Sequence, residues 1–173
     1  SSKEGRSSID VTESLREYVD DNGNTHAYID YVINKVEALV GDNRATDPGI
    51  VNWTGQGSVW NVAGNSRLSR LNLTNGFMNL AYGKGYNQVE VADFSGNMSL
   101  LFKVNVDENA SVFLKITDRS SGDHIVSLVN DGSAETNGTE KKTIIETSDG
   151  LATFTGVQEY ELGGYLYQVQ RVD

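Results

Sequence analysis

Short runs of alternating apolar and polar residues dominate the chain from about residue 97 to its end. In the clearest run, Met98, Leu100, Phe102, Val104 and Val106 occupy every second position, so an extended strand places all of these side chains on one face. Further runs of this kind follow at intervals of roughly ten residues, a spacing that is typical of all-β sandwiches and barrels. The pattern therefore predicts a mainly β fold built from half-buried strands.

Turn-forming residues separate these runs, at sites such as Asn75-Gly76, Gly96-Asn97 and Asp131-Gly132. The runs between the turns predict strands at about 57–63, 67–74, 77–82, 87–93, 98–106, 111–117, 124–129, 142–147, 151–157 and 165–172. Short connections favour antiparallel neighbours, because parallel strands need crossovers of roughly a dozen residues or more. We therefore expect an antiparallel β-sandwich with a jelly-roll-like arrangement.

The N-terminal part has a different pattern, and it is separated from the β-rich remainder near the only proline, Pro48. Residues 1–8 lack apolar periodicity and predict a disordered tail. Residues 41–49 are rich in Gly, Asp and Asn and predict a linker. The expected organisation is a tail at 1–8, an N-terminal segment at 9–41 and a β-sandwich domain at 50–173.

Two structures are consistent with the N-terminal segment. Ile29, Ile33, Val36 and Val40 recur at helical spacing, which predicts a helix over about 25–40 that ends at Gly41. The alternative is a hairpin that turns at Asn22-Gly23, because aromatic and β-branched residues lie on both sides of this pair. We expect the short helix and keep the hairpin open.

Composition restricts the partners and the compartment. The net charge of -10 argues against nucleic acid, whose binding depends on clustered Lys and Arg. No apolar run approaches the roughly 20 residues that span a bilayer, so we expect no membrane partner. The chain has 18 Gly and many Asn, Ser and Thr with few Lys, a usage that favours an extracellular or cell-surface protein. It has no Cys, which removes thiol chemistry but does not restrict the compartment.

The residues that could carry catalysis or bind a metal form no specific motif. His26 and His124 are the only histidines, and neither lies at ligand spacing from a second metal ligand. The carboxylates that could serve a glycosidase, which we expect to face solvent instead, are Glu90, Asp93, Glu159 and Glu161. We predict that the chain is not an enzyme and has no cofactor, although the loops at 107–109 and 130–132 could supply oxygen ligands to structural calcium.

The segment from Asn52 to Tyr86 concentrates aromatic and amide side chains. A sugar ring packs its C–H groups on an aromatic face while amides bond its hydroxyls, so this composition predicts a glycan site. The predicted ligand-binding residues are Trp53, Trp60, Tyr82, Tyr86, Asn79, Asn87 and Gln88. The alternative is that Trp60, which lies between Val59 and Val62, is a core residue and that Trp53 closes one end of the sandwich.

From about Asn52 to Val172 the chain resembles the jelly-roll carbohydrate-binding modules of secreted glycoside hydrolases and polysaccharide lyases. The resemblance rests on the opening from Trp53 to Trp60, on strands at 99–106 and 111–117, and on a closing strand at 165–169. It implies a module that binds polysaccharide through exposed aromatic side chains, as an accessory to a carbohydrate-active enzyme. The N-terminal part departs from that family and suggests neighbouring domains of a larger protein.

Two hypotheses for function follow. The first is a non-catalytic, secreted, glycan-binding module whose partner is a polysaccharide. The second is a structural or adhesive domain of a cell-surface or assembly protein, in which the aromatic side chains belong to the core. Exposure of the tryptophans distinguishes them.

Overall fold

The computed structural model describes residues 5–40 and 52–173, and within these ranges it consists of β-strands, turns and loops without a helix. The strands are β1 (Gly5–Val19), β2 (Thr25–Val40), β3 (Asn52–Gln56), β4 (Val59–Val62), β5 (Ser66–Asn79), β6 (Gln88–Asn105), β7 (Ala110–Ser111), β8 (Phe113–Ser120), β9 (Asp123–Asn130), β10 (Ile145–Thr147), β11 (Thr153–Gly156), β12 (Tyr160–Leu162) and β13 (Tyr165–Tyr167). The prediction of a mainly β fold is confirmed.

The N-terminal segment is an antiparallel hairpin of β1 and β2, so the helix predicted over 25–40 is wrong. The backbone N–H groups of Asn22 and Asn24 each donate a hydrogen bond to Asp20 Oδ1 at 2.9 Å, which closes the turn. The apolar residues of β2 are largely β-branched and aromatic, and such residues favour strands once a neighbouring strand is available. β1 begins at Gly5, within the segment expected to be a tail, and the predicted linker at 41–49 lies outside the described residues.

The remaining strands stack mostly in parallel, so the antiparallel jelly-roll sandwich is wrong. β5 pairs in parallel with β6, which pairs in parallel with β8 and β9, and these pair with β10 and β11. β2 and β4 extend the parallel pairing before β5. Most of these strands thus pair with the strand one turn of the chain further on, and the chain winds as successive coils of a solenoid.

Several of the predicted turns are corners, where a strand bends from one face of the solenoid to the next without reversing its direction. β5 and β6 each continue through a predicted turn, and their register shifts between Thr74 and Gly76. At this point Asn75 has a φ of 50°, its N–H donates to Asn97 Oδ1 at 2.9 Å, and Asn97 Nδ2 donates to Asn75 Oδ1 at 2.9 Å. The turn therefore bends a strand from one face of the solenoid to the next, and the coil as a whole serves as the crossover between parallel strands.

The core consists of inward-facing apolar side chains. Side chains at matching register positions in successive coils stack on one another and form columns that run across the coils. Leu68, Val91 and Ile116 are neighbours in the parallel register and are at most 2% exposed. On another face Met78, Leu100 and Val126 are stacked in the same way. Burial of one such side chain contributes roughly 1.5–3 kcal/mol, so the columns supply most of the favourable free energy. The predicted alternation is confirmed from Met98 to Phe102 in β6, but Val104, Lys103 and Asn105 beyond it are all buried, and Val106 is only partly buried.

The hairpin of β12 and β13 packs against the loop at residues 136–140, which follows β9. Leu162 joins the core, and the hydroxyl of Thr136 donates to its carbonyl oxygen at 2.6 Å. Tyr167 donates a hydrogen bond from its hydroxyl to Glu140, and this bond lowers the pKa of Glu140 to about 2. Glu140 is therefore ionised at neutral pH and holds the loop after β9 against the hairpin.

A substitution at Gly122 can test how closely the corners of successive coils stack. Its φ is +87°, and a Cβ there would lie 1.9 Å from the carbonyl oxygen of Gly96 in the preceding coil. Gly85 is the matched control, because its φ is +71° but a Cβ there would meet nothing within 4 Å. We expect Gly85→Ala to lower the free energy of unfolding by about 1–2 kcal/mol, the cost of a left-handed alanine, and Gly122→Ala to lower it by clearly more. Equal losses in urea unfolding would contradict close stacking.

Candidate functional site

The loop at residues 80–87, between β5 and β6, presents exposed aromatic side chains. Tyr82 is 52% exposed and Tyr86 is 37% exposed. Lys103, which is itself only 9% exposed, donates from Nζ to the carbonyl oxygen of Gly83 at 2.8 Å, and its Nζ lies 5.5 Å from the centroid of the Tyr86 ring. The largely buried ammonium group of Lys103 thus holds the loop against the sheet through a hydrogen bond and a cation–π contact.

Turns from two later coils lie beside this loop. The hydroxyl of Tyr86 donates to Asp131 Oδ2 at 2.7 Å. The turn that holds Asp131 also contacts the turn after β6, because a Cβ at Gly132 would lie 2.5 Å from Asp107 Oδ1. We call residues 80–87, 105–109 and 130–132 the corner-loop surface. Coil stacking brings these segments together although they are distant in sequence.

Electrostatics keep Tyr86 a neutral phenol. Burial raises its pKa above the ordinary value, and the hydrogen bond to the Asp131 carboxylate raises it further. A neutral hydroxyl keeps its proton, so Tyr86 can act as the donor in its hydrogen bond to Asp131.

The two loops expected to bind calcium do meet at this surface. However, the described residues contain no group of three or more His, Cys, Asp or Glu side chains arranged to hold a metal ion. Asn105 and Asn130 use their side-chain oxygens to accept backbone N–H bonds from Glu108 and Gly132 at 3.3 and 2.9 Å. Calcium binding therefore remains a prediction that the described geometry does not support.

The structure brings only some of the predicted ligand-binding residues together. Tyr82, Tyr86 and Asn87 share the loop, where Asn87 Nδ2 donates to the carbonyl oxygen of Lys84 at 3.3 Å. Trp60 is fully buried, so it is a core residue and not an exposed platform. The side chain of Trp53 lies outside the part of the chain that the structure describes.

The other two amides are placed differently. Asn79 is half-buried on β5 and donates to Asn61 Oδ1 at 3.3 Å. Gln88 is exposed at the start of β6, and its backbone N–H donates to Asn65 Oδ1 at 2.8 Å. Sequence reasoning missed Lys103 and Asp131, because their contacts with the loop depend on which strands stack and no local pattern reports that.

His124 is a core residue and not a catalytic base. Its Nδ1 accepts the N–H of Met98 at 3.1 Å, and its Nε2 lies 2.9 Å from the carbonyl oxygen of Ser121, so that nitrogen carries the proton. The ring packs between Phe94 and Phe154, with centroid distances of 4.8 and 5.2 Å. Burial lowers the pKa of His124, so the neutral form dominates.

Three of the four carboxylates considered for glycoside hydrolysis form ion pairs or a hydrogen bond within the fold. Glu90 pairs with Arg67, and Asp93 pairs with both Arg70 and Arg119, on the outer face of the sheet. Glu161 accepts the backbone N–H of Gly164 at 2.7 Å in the β12–β13 turn, and Glu159 is exposed. The described ranges also contain no helix that is long and apolar enough to cross a bilayer.

Comparison with known proteins gives two matches. The pertactin family model matches residues 68–172. The probable autotransporter YcgV of Escherichia coli (strain K12) is 35% identical over 124 residues, which is 66% of this chain and 13% of that protein. The chain thus spans about 13% of the length of this curated relative.

These matches correct the resemblance to carbohydrate-binding modules, which is wrong. The matched region begins in β5 and contains the parallel coils, as expected for an autotransporter passenger domain and not for an antiparallel jelly roll. The matches indicate no catalytic enzyme family. They also confirm the predicted extracellular, cell-surface localisation.

Stability should depend on the protonation of His124. Because its pKa in the folded protein lies below the unfolded value of about 6.5, the unfolded chain binds a proton first as the pH falls. The stabilising contribution of neutral His124 is therefore complete above this value and decreases below it. Between pH 7 and 5 we expect the free energy of unfolding to fall, by at most about 1.4 kcal/mol per pH unit from this group.

The variant His124→Asn retains an acceptor for the N–H of Met98 and removes the titration. Urea unfolding at several pH values should give a shallower pH slope for the variant than for the wild type, whatever its absolute stability. Identical slopes would contradict the assignment of a neutral, buried His124.

The link between coils at Tyr86 can be measured separately. We expect Tyr86→Phe to lower the free energy of unfolding by about 0.5–1.5 kcal/mol, the net contribution of one hydrogen bond, because Asp131 is exposed and water can replace the lost donor. Tyr82→Phe is the control in the same loop, with an expected change within about 0.5 kcal/mol. Equal effects of the two substitutions would show that the Tyr86–Asp131 bond does not hold the loop.

Proposed function

This chain belongs to the pertactin family, and from that membership we propose that it forms part of the non-catalytic solenoid of a surface-displayed protein. Its role in this proposal is structural first, because the coils build an elongated support. The finer part of the proposal is an adhesive role for the corner-loop surface.

The continuous core is the observation that carries the structural role. Inward-facing apolar residues run without interruption from β4 through β5 and β6 to β9, and Trp60, Met78, Leu100 and Val126 form one such column. Each additional coil lengthens the stack by about 4.8 Å and buries the apolar face of the coil before it. A stack of this kind carries surface features away from its point of attachment.

Exposed side chains on the corner-loop surface favour the adhesive role. Tyr82 projects from the loop at 80–87 beside Lys84, while the Lys103 contacts and the Tyr86–Asp131 bond hold the loop in place. Aromatic side chains on a rigid support lose little entropy on binding, and they are enriched where proteins contact partners. The residues that would contact a partner are therefore Tyr82, Lys84, Tyr86 and Asn87. A glycan receives less support than a general adhesive surface, because Trp60 is buried.

Display can be tested on cells that produce the full-length parent protein. An epitope inserted between Lys84 and Gly85 enters an open part of the loop, since a Cβ at Gly85 would meet nothing within 4 Å. We expect an antibody to label intact cells as strongly as lysed cells. Labelling only after lysis would overturn the proposed display.

Adhesion needs a second measurement on the same cells. We expect Tyr82→Ala with Lys84→Ala to reduce attachment of cells to surfaces and to each other, with display unchanged. The matched control is Tyr165→Ala with Lys142→Ala, an exposed tyrosine and lysine outside the corner-loop surface. Equal attachment of the two variants and the wild type would leave the structural role and remove the adhesive one.

A further inference from the structure

Charged side chains on the outer face of the parallel sheet form two columns that cross successive coils with alternating sign. The register places these residues side by side, as Arg67, Glu90, Lys115 and Glu146 in one column and Arg70, Asp93 and Arg119 in the other. We call these residues the charge columns. Every neighbour along either column has the opposite charge.

The contacts agree with the register. Arg67 Nε lies 3.4 Å from Glu90 Oε1. Asp93 Oδ2 lies 3.4 Å from Arg70 Nε and 3.0 Å from Arg119 Nη2, so one carboxylate joins three coils. Exposed pairs of this type contribute little to overall stability, and their arrangement therefore calls for a different explanation.

The core does not distinguish one coil from another. If β6 were left out of the stack, β5 would lie on β8 and Leu68 would meet Ile116, an apolar contact equivalent to Leu68 on Val91. Leaving out a coil lengthens a surface loop, and loop-closure entropy grows only slowly with loop length. The apolar pattern alone therefore permits coils to stack in the wrong order.

The charge columns do distinguish the coils. In the same misassembled stack Arg67 would lie against Lys115, and Arg70 against Arg119. If β8 were left out instead, Glu90 would meet Glu146. Like charges on directly opposed strand positions repel, so omission of β6 or of β8 replaces attraction by repulsion at the positions named.

We propose that the charge columns specify the order in which the coils stack during folding. Correct neighbours attract and next-nearest coils repel, so the columns act against a skipped coil that the core would accept. The parallel pairs form between residues far apart in sequence, and a misordered stack would be compact and slow to resolve.

Refolding from urea tests the proposal with three variants. The first, Glu90→Lys with Asp93→Lys, makes all neighbours on β5, β6 and β8 positive. The second, Glu135→Lys with Glu159→Lys, changes the net charge equally at exposed positions outside the columns. The third inverts every sign and keeps the alternation, through Arg67→Glu, Arg70→Glu, Glu90→Lys, Asp93→Lys, Lys115→Glu, Arg119→Glu and Glu146→Lys.

The measured quantity is the yield of monomeric, protease-resistant protein at low salt and at about 0.5 M NaCl, where the screening length is about 4 Å. We expect the first variant to give a several-fold lower yield at low salt and to recover at high salt. The second and third should match the wild type at both. The proposal is overturned if the first variant refolds normally at low salt, if high salt does not rescue it, or if the control or the inverted variant fails in the same way.

Discussion

Hydrogen bonding between parallel strands is the constraint on which the rest of this structure depends. A strand presents backbone N–H and C=O groups along both edges, and buried groups of this kind must be paired. In each coil these groups find partners only in the coil before and the coil after, as β6 does with β5 on one side and with β8 and β9 on the other. The same pairing fixes the register, and the register aligns every inward and outward column.

The corners decide what the coils can display. The mutual hydrogen bonds of Asn75 and Asn97, and the close approach of Gly122 to Gly96, allow successive turns to stack directly above one another. At another corner the chain leaves the sheet in loops of different lengths, and these loops form the corner-loop surface. On the sheet faces, side chains in successive coils must remain compatible with one another. The loop at 80–87 needs only the hydrogen bonds to Lys103 and Asp131 that hold it in place. Function in this family member is therefore expected at loops held by a rigid stack.

Local patterns in the sequence predicted most of the strands after residue 57, but they did not predict β1 and β3, favoured a helix at β2 and gave the wrong strand directions. Alternation identified the buried face of β6 correctly, because that signal is local to the strand. Gly96-Asn97 shows the limit, since a turn-forming pair reports a change of direction but not whether the strand reverses or bends. In β2, the spacing of Ile29, Ile33 and Val36 fits a helix, and only the pairing with β1 and β4 favours the strand. Likewise Tyr82 and Tyr86 were identifiable within one loop, while Asp131 became a neighbour only through stacking.

Consecutive coils stack in parallel, and methyl contacts in solution test this arrangement most directly. Nuclear Overhauser spectra of the methyl-labelled protein should connect Leu68 with Val91 and Val91 with Ile116, the neighbours of the parallel register. An antiparallel sandwich would fold β6 back on itself at residues 95–97 and would connect Val91 with Leu101. The first set of contacts without the second is the result that the solenoid predicts, and a Val91–Leu101 contact in place of Val91–Ile116 would contradict it.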